Sequence, residues 1–93
     1  MITKTWSERD LERLLKAIAN KRRVAILKYL KHIGRASVGD IATEIKLSLK
    51  ATSKHLLKLS HVDIVEKEQT GLLIFCTLSK NQNPIISTLL SSF

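Results

Sequence analysis

A chain of 93 residues has room for one small domain, and 44% hydrophobic content sets it apart from disordered sequences. No apolar run approaches the ~18–20 residues that span a bilayer, which excludes a transmembrane helix. A formal net charge of +8, from 16 Lys and Arg against 8 Asp and Glu, points to nucleic acid first. An anionic membrane surface or an acidic protein comes second.

The first residues, Met1-Ile2-Thr3-Lys4-Thr5-Trp6, lack the apolar core of a signal peptide. A first helix is predicted from Glu8 to about Ala19, capped by Ser7 with Asp10 three residues on, and striped by Leu11, Leu14, Leu15 and Ile18. Asn20 breaks the chain and caps a second helix, Lys21 to about Lys31. That helix is expected to bury Val24, Leu27 and Leu30, with Ile26 and Ile33 at its margins, and Gly34 ends it. Arg35-Ala36-Ser37 reads as a short extended connection. Ser37 caps a third helix with Val38, Ile41, Ala42 and Ile45 at i, i+3, i+4, i+7.

After a turn at Lys46-Leu47, Ser48 opens a fourth helix with Thr52, His55, Leu56 and Leu59 on its apolar face. Lysine recurs every fourth position, at Lys46, Lys50, Lys54 and Lys58, with no acidic residue between Glu44 and Asp63. Like charges four apart cost an isolated helix about 0.2–0.5 kcal/mol per pair. A polyanionic partner relieves that repulsion. Helix, short turn and basic helix make a helix-turn-helix.

Beyond His61 the periodicity changes to strands, Ile64 to Gln69 and Leu72 to Leu78, around a turn at Thr70-Gly71. A hairpin directly after a helix-turn-helix is the layout of a winged helix. The fold class is therefore mainly α with a small hairpin: about five helices and a two- or three-stranded wing. Asn81-Gln82-Asn83-Pro84 leads into a last helix whose Ile85, Ile86, Leu89, Leu90 and Phe93 form one apolar face. A face so apolar is expected to bury itself against another subunit. The aromatic residues, Trp6, Tyr29, Phe75 and Phe93, offer no platform for stacking single strands, so duplex DNA is the expected partner.

The segment Leu47-Ser48-Leu49-Lys50-Ala51-Thr52-Ser53-Lys54-His55-Leu56, with Leu59 and Val62-Asp63-Ile64-Val65 after it, resembles the recognition-helix signature of ArsR-type winged-helix regulators. Ala19-Asn20-Lys21-Arg22-Arg23-Val24-Ala25-Ile26-Leu27 resembles that family's opening segment, and the likeness covers roughly residues 11 to 78. It implies a homodimeric DNA-binding repressor, one domain over residues 1–93, dimerised by its first and last helices and released from DNA by an inducer. The chain departs from the family in five places. Ser37-Val38-Gly39-Asp40 has no cysteine where many members bind thiophilic metals, Ile85 to Phe93 has no metal ligand, and the wing reads Glu66-Lys67-Glu68-Gln69 instead of basic. Leu49 stands where the family often has Gln, and Asp63 where it often has Gly.

Expected DNA contacts are Ser37, Ser48, Leu49, Lys50, Thr52, Ser53, Lys54 and Lys58, with Lys67 and Gln69 from the wing. Lys50, Ser53 and Lys54 sit where base edges are read, whereas Lys58 suits a backbone phosphate. Ser48 adds a helix N-terminus able to receive a phosphate. Leu57 is expected to pack under the wing, with a thymine methyl as its alternative contact. The expected dimer face is Leu11, Leu14, Leu15, Ile18, Ile85, Ile86, Leu89, Leu90 and Phe93.

His55 is read as an inward, hydrogen-bonded structural histidine, and His32 and His61 as helix-end residues. Cys76, the lone cysteine, suits a buried strand position and a reducing cytoplasm. No metal site or other cofactor is expected, because no spacing brings a donor set together. An enzyme is excluded by inventory, since there is no phosphate loop and no nucleophile paired with a base. The competing reading is a winged-helix adaptor that binds protein and leaves duplex DNA alone.

Overall fold

Each helix begins at a side chain that accepts a hydrogen bond from the backbone it starts. The computed structural model describes residues 6–80 and 82–93. The reading of Met1–Thr5 as lacking a signal peptide, and the part of Asn81 in the lead-in to the last helix, lie outside the described residues. Ser7 Oγ accepts from Asp10 N at 3.1 Å to open α1 (Glu8–Ile18), and Asn20 Oδ1 accepts from Arg22 N and Arg23 N to open α2 (Lys21–Ile33). Ser37 caps α3 (Val38–Ile45), Ser48 caps α4 (Leu49–His61), and Asn83 caps α5 (Pro84–Leu90) with Pro84 in its first turn. Helix α2 runs two residues past the predicted Lys31 and stops at Gly34, whose φ of +86° the missing Cβ permits.

Strands β1 (Arg35–Ser37), β2 (Val65–Thr70) and β3 (Leu73–Leu78) form an antiparallel sheet in the order β1-β3-β2. The wing thus has a third strand, the connection read as extended. Thr70 pairs with Leu73, so the turn is Gly71-Leu72, one residue later than predicted. Gly71 takes φ +62° at the first turn position, the demand of a tight hairpin. Leu72 therefore leaves the predicted strand and projects at the tip, 99% exposed.

The core is built around α2. Its inner face is Arg23, Ile26, Leu27 and Leu30, the full i, i+3, i+4, i+7 series, and not the predicted Val24 stripe. Ile26 is wholly buried where a marginal place was expected, while Val24 is half-buried and Ile33 is exposed. A charged side chain in the first place of the series disguised the stripe. Ile41, Ile45, Leu56, Leu59, Ile64 and Cys76 pack onto this face from α3, α4 and the sheet.

The outer helices divide their apolar residues. Leu14, Ile86 and Leu90 are buried in the core of their own chain, which corrects their expected place on the dimer face. A single helical stripe is wide enough to serve two surfaces, and in α1 and α5 it does. Leu15 and Ile85 remain exposed, and Leu11, Ile18, Leu89 and Phe93 are half-buried.

Candidate nucleic-acid interface

The corner between α3 and α4 is tight. Lys46 takes a left-handed conformation (φ +58°) and Leu47 N donates back to Ala42 O at 3.1 Å, closing α3 before Ser48 opens the next helix. Arg22 braces the corner by donating from Nη1 to Ile45 O at 2.7 Å. At the other end of α4, Asp63 takes φ +59°, with Asp63 N donating to Ser60 O and Ile64 N to Leu59 O. A left-handed corner explains why glycine suits this position, and aspartate is one of the few other residues that tolerates it.

Between these corners α4 has two sides. Thr52, Leu56 and Leu59 are buried against the core, and Leu49, Lys50, Ser53, Lys54, Leu57 and Lys58 are exposed on the other side. Lys50, Lys54 and Lys58 make one row at i+4 spacing, and Leu49, Ser53 and Leu57 make the row beside it. Leu57 is 45% exposed, so the wing covers it only in part. Ser48 and Ser37 both spend their Oγ as helix caps, accepting from Ala51 N and Asp40 N at 3.1 Å, so each offers its helix N-terminus more than its hydroxyl.

Thr52 does not reach this surface. It is fully buried, and its Oγ1 has no hydrogen-bond partner among the described residues. Burying an unpartnered hydroxyl costs about 1–3 kcal/mol. Thr52→Val keeps the shape and removes the polar atom. It is expected to raise stability by roughly 1 kcal/mol in a urea titration and to leave duplex affinity unchanged. Loss of affinity would put Thr52 back at the interface.

His55 is held from behind. The Arg23 guanidinium, on a residue that is 8% exposed, meets His55 Nδ1 at 3.2 Å and also donates to Ala17 O and, at 3.2 Å, to Lys16 O. The carbonyls belong to the last turn of α1, where a helix runs out of its own backbone donors. One side chain on α2 therefore ties α1 to α4. His55 accepts from Arg23 only as a neutral ring, and its pKa lies below the usual histidine value. Burial is the largest cause, followed by the positive charges of Arg23, Lys58 and Arg22. Composition and periodicity gave Arg23 no role; its place at the head of the apolar series is the signal that could have found it.

The wing sorts its charges by face. Glu66 pairs with Thr77 and Glu68 with Phe75 on the outer face, where Arg35 lies 3.8 Å over the Phe75 ring and 3.5 Å from Glu68 Oε1. Lys67 pairs with Cys76 and Gln69 with Ile74 on the face that looks toward the helices. Both are exposed, and Gln69 Nε2 donates to Gly71 O across the turn. Cys76 is wholly buried, as its strand position implied, and burial raises its thiol pKa against a smaller opposing pull from Lys67. Among the described residues no group of three or more His, Cys, Asp or Glu side chains is placed to hold a metal ion. His61 instead lines an open cleft of about 560 Å³ with Asp10, Arg13, Asp63 and Gln82. No helix among the described residues is long and apolar enough to cross a membrane.

The arrangement has close counterparts. A family model described as bacterial regulatory protein, arsR family, matches residues 20–67, from the cap of α2 through the first half of β2. The transcriptional activator HlyU of Vibrio cholerae is 38% identical over 69 residues, which are 74% of this chain and 63% of that protein. The match thus spans less than two thirds of that relative's length. The structure of reduced HlyU from the same organism superimposes with a TM-score of 0.77 at 31% identity, covering 90% of this chain and 84% of that one. A homodimeric winged helix-turn-helix DNA-binding domain from Mycobacterium bovis gives a TM-score of 0.76 at 26% identity over 97% of this chain and 85% of that one. The transcriptional repressor PagR of Bacillus anthracis gives 0.73 at 25% identity, over 90% of this chain and 92% of that one. Helix-turn-helix, capped corners and wing occur here together, and the family model covers more than half of the chain: the chain belongs to the arsR family of bacterial regulatory proteins.

Proposed function

We propose that the chain is a sequence-specific duplex DNA-binding transcriptional regulator that works as a homodimer and represses by occupying its operator. The observation that carries this is the exposed side of α4, where Lys50, Lys54 and Lys58 stand in a row with no carboxylate between Glu44 and Asp63. Repression needs only occupancy of the duplex, whereas activation needs a further contact with the transcription machinery. HlyU is described as an activator and PagR as a repressor.

In this reading Lys50, Ser53 and Lys54 meet base edges, Lys58 a backbone phosphate, and Lys67 and Gln69 the backbone beside the groove. The helix N-termini at Ser37 and Ser48 supply further amides to phosphate. Lys50→Ala and Lys54→Ala should each weaken duplex binding and lower discrimination at the base read by about 1–3 kcal/mol, and a variant that loses only a phosphate contact should lower the salt slope by about one unit. A double variant that binds like the wild type at every salt concentration rules this face out. The exposed Leu72, Leu73 and Ile74 at the wing tip favour the second reading, an adaptor that docks protein there. An adaptor binds random duplex weakly and with little salt dependence.

The start of α3 and the whole of α5 carry no cysteine or histidine, so the family's usual metal sensing is not part of this reading. Arsenite, cadmium or zinc at modest concentration is expected to leave the DNA complex intact in a gel-shift titration. Tight stoichiometric zinc uptake by the purified protein would contradict it.

A further inference from the structure

We infer that Leu49 is a specificity-determining residue that reads the 5-methyl group of a thymine in the major groove. This rests on the duplex-binding reading above. Leu49 is the first residue of α4, and the first turn of a docked recognition helix is the part that reaches base edges. It is 60% exposed at the edge of the buried stripe of Thr52 and Leu56, with exposed Lys50 and Ser53 on its other side, so its side chain is open to a groove that receives the first turn of the helix.

Leucine has no donor or acceptor to offer a base edge. The major-groove edges of guanine, cytosine and adenine present hydrogen-bonding groups, and only thymine adds an apolar one, its 5-methyl. A leucine set over guanine or cytosine would leave polar edge atoms stripped of water and unpaired. Charge complementarity selects the occupant. Among the described residues no acid pairs with the lysine row next to Leu49, which favours a polyanion and disfavours an apolar segment of protein. Lys50 and Lys54 meet base edges of their own, Lys58 holds the backbone, and Leu49 discriminates beside them.

The test uses a duplex selected from a random library by the wild-type protein, with each thymine of a half-site replaced in turn by deoxyuridine, which removes the methyl alone. At one thymine per half-site, wild-type affinity should fall roughly three- to tenfold in fluorescence anisotropy, the range expected for one buried methyl. Leu49→Ala, a change at an exposed helix position that keeps the helix, should lose affinity for the thymine duplex and become indifferent to the same replacement. Library selection with Leu49→Gln should exchange the preference at that base pair for adenine, which glutamine can bond bidentately. Deoxyuridine silent at every position, or equally costly to wild type and Leu49→Ala, overturns the assignment while leaving duplex binding in place. Absence of any salt-dependent duplex binding overturns the functional reading and this one together.

Discussion

Replacing Leu15 and Ile85 together by glutamate is expected to give a folded monomer whose duplex affinity falls by about 10²–10⁴-fold, although neither residue touches the proposed DNA face. Both lie outside the core, 47% and 42% exposed, so the substitution opens no cavity in the chain. Leu15 lines a shallow, almost wholly apolar groove on α1 with Leu11 and Ala19, and on α5 the half-buried Leu89 and Phe93 flank the exposed Ile85. Pairing these surfaces across a twofold axis would cover them and set two recognition helices about 34 Å apart, one turn of B-DNA, before a palindromic site. Separating the subunits turns one bidentate binding event into two weak ones. Analytical ultracentrifugation and anisotropy on the same samples check both halves of the expectation. Ile86 and Leu90 serve as the contrast, because charge there should unfold the chain. A wild type that is monomeric and well folded at micromolar concentration would defeat the dimer and favour the adaptor.

The second large effect is expected at Arg23. Arg23→Ala strips donors from Ala17 O, Lys16 O and the His55 ring at once, and should cost about 2–4 kcal/mol in a chemical melt. Small domains of this kind hold only about 5–15 kcal/mol in total. Lysine should rescue poorly, since a single ammonium cannot serve three divergent acceptors. The same contact sets a pH dependence. The unfolded chain takes up a proton at His55 near 6.5, while the folded chain, with its lowered pKa, resists it. The contribution of His55 to stability is therefore level above that value and declines as the pH falls through it toward the folded pKa. His55→Gln should flatten that part of the curve between pH 7.5 and 5. A slope unchanged by the substitution would show that the ring is not neutral in the fold.

The helix-turn-helix and the hairpin were legible because each rests on a local signal. Ser7, Asn20, Ser37 and Ser48 all cap where their side chains predict, and the change from helical spacing to strand alternation after His61 marks the wing. Features settled by long-range packing were not legible. A threonine at the right spacing for the apolar face of α4 was also assigned to DNA, and burial gives Thr52 to the core alone. Leu14, Ile86 and Leu90 look identical to Leu15 and Ile85 in sequence, and only the three-dimensional neighbours decide which are spent inside the chain. Arg23 was invisible for the opposite reason: hydrophobic periodicity passes over a cation, yet its guanidinium finds three acceptors that only the folded arrangement of α1, α2 and α4 brings within reach.

Lys46 and Asp63, the left-handed residues at the corners that flank α4, set a limit on adaptation. Neither corner is a glycine, and each holds a conformation that costs an ordinary residue about 1–2 kcal/mol, so it persists only because the surrounding contacts determine it. If α4 reads duplex DNA as proposed, a helix mounted between two such joints keeps one pitch and does not roll to follow an imperfect groove. Misfit at a degenerate operator then falls on the duplex, which must bend or twist to meet the helix at an elastic cost of its own. Operators for this regulator should therefore be ranked by how readily their central base steps deform as well as by the bases they present.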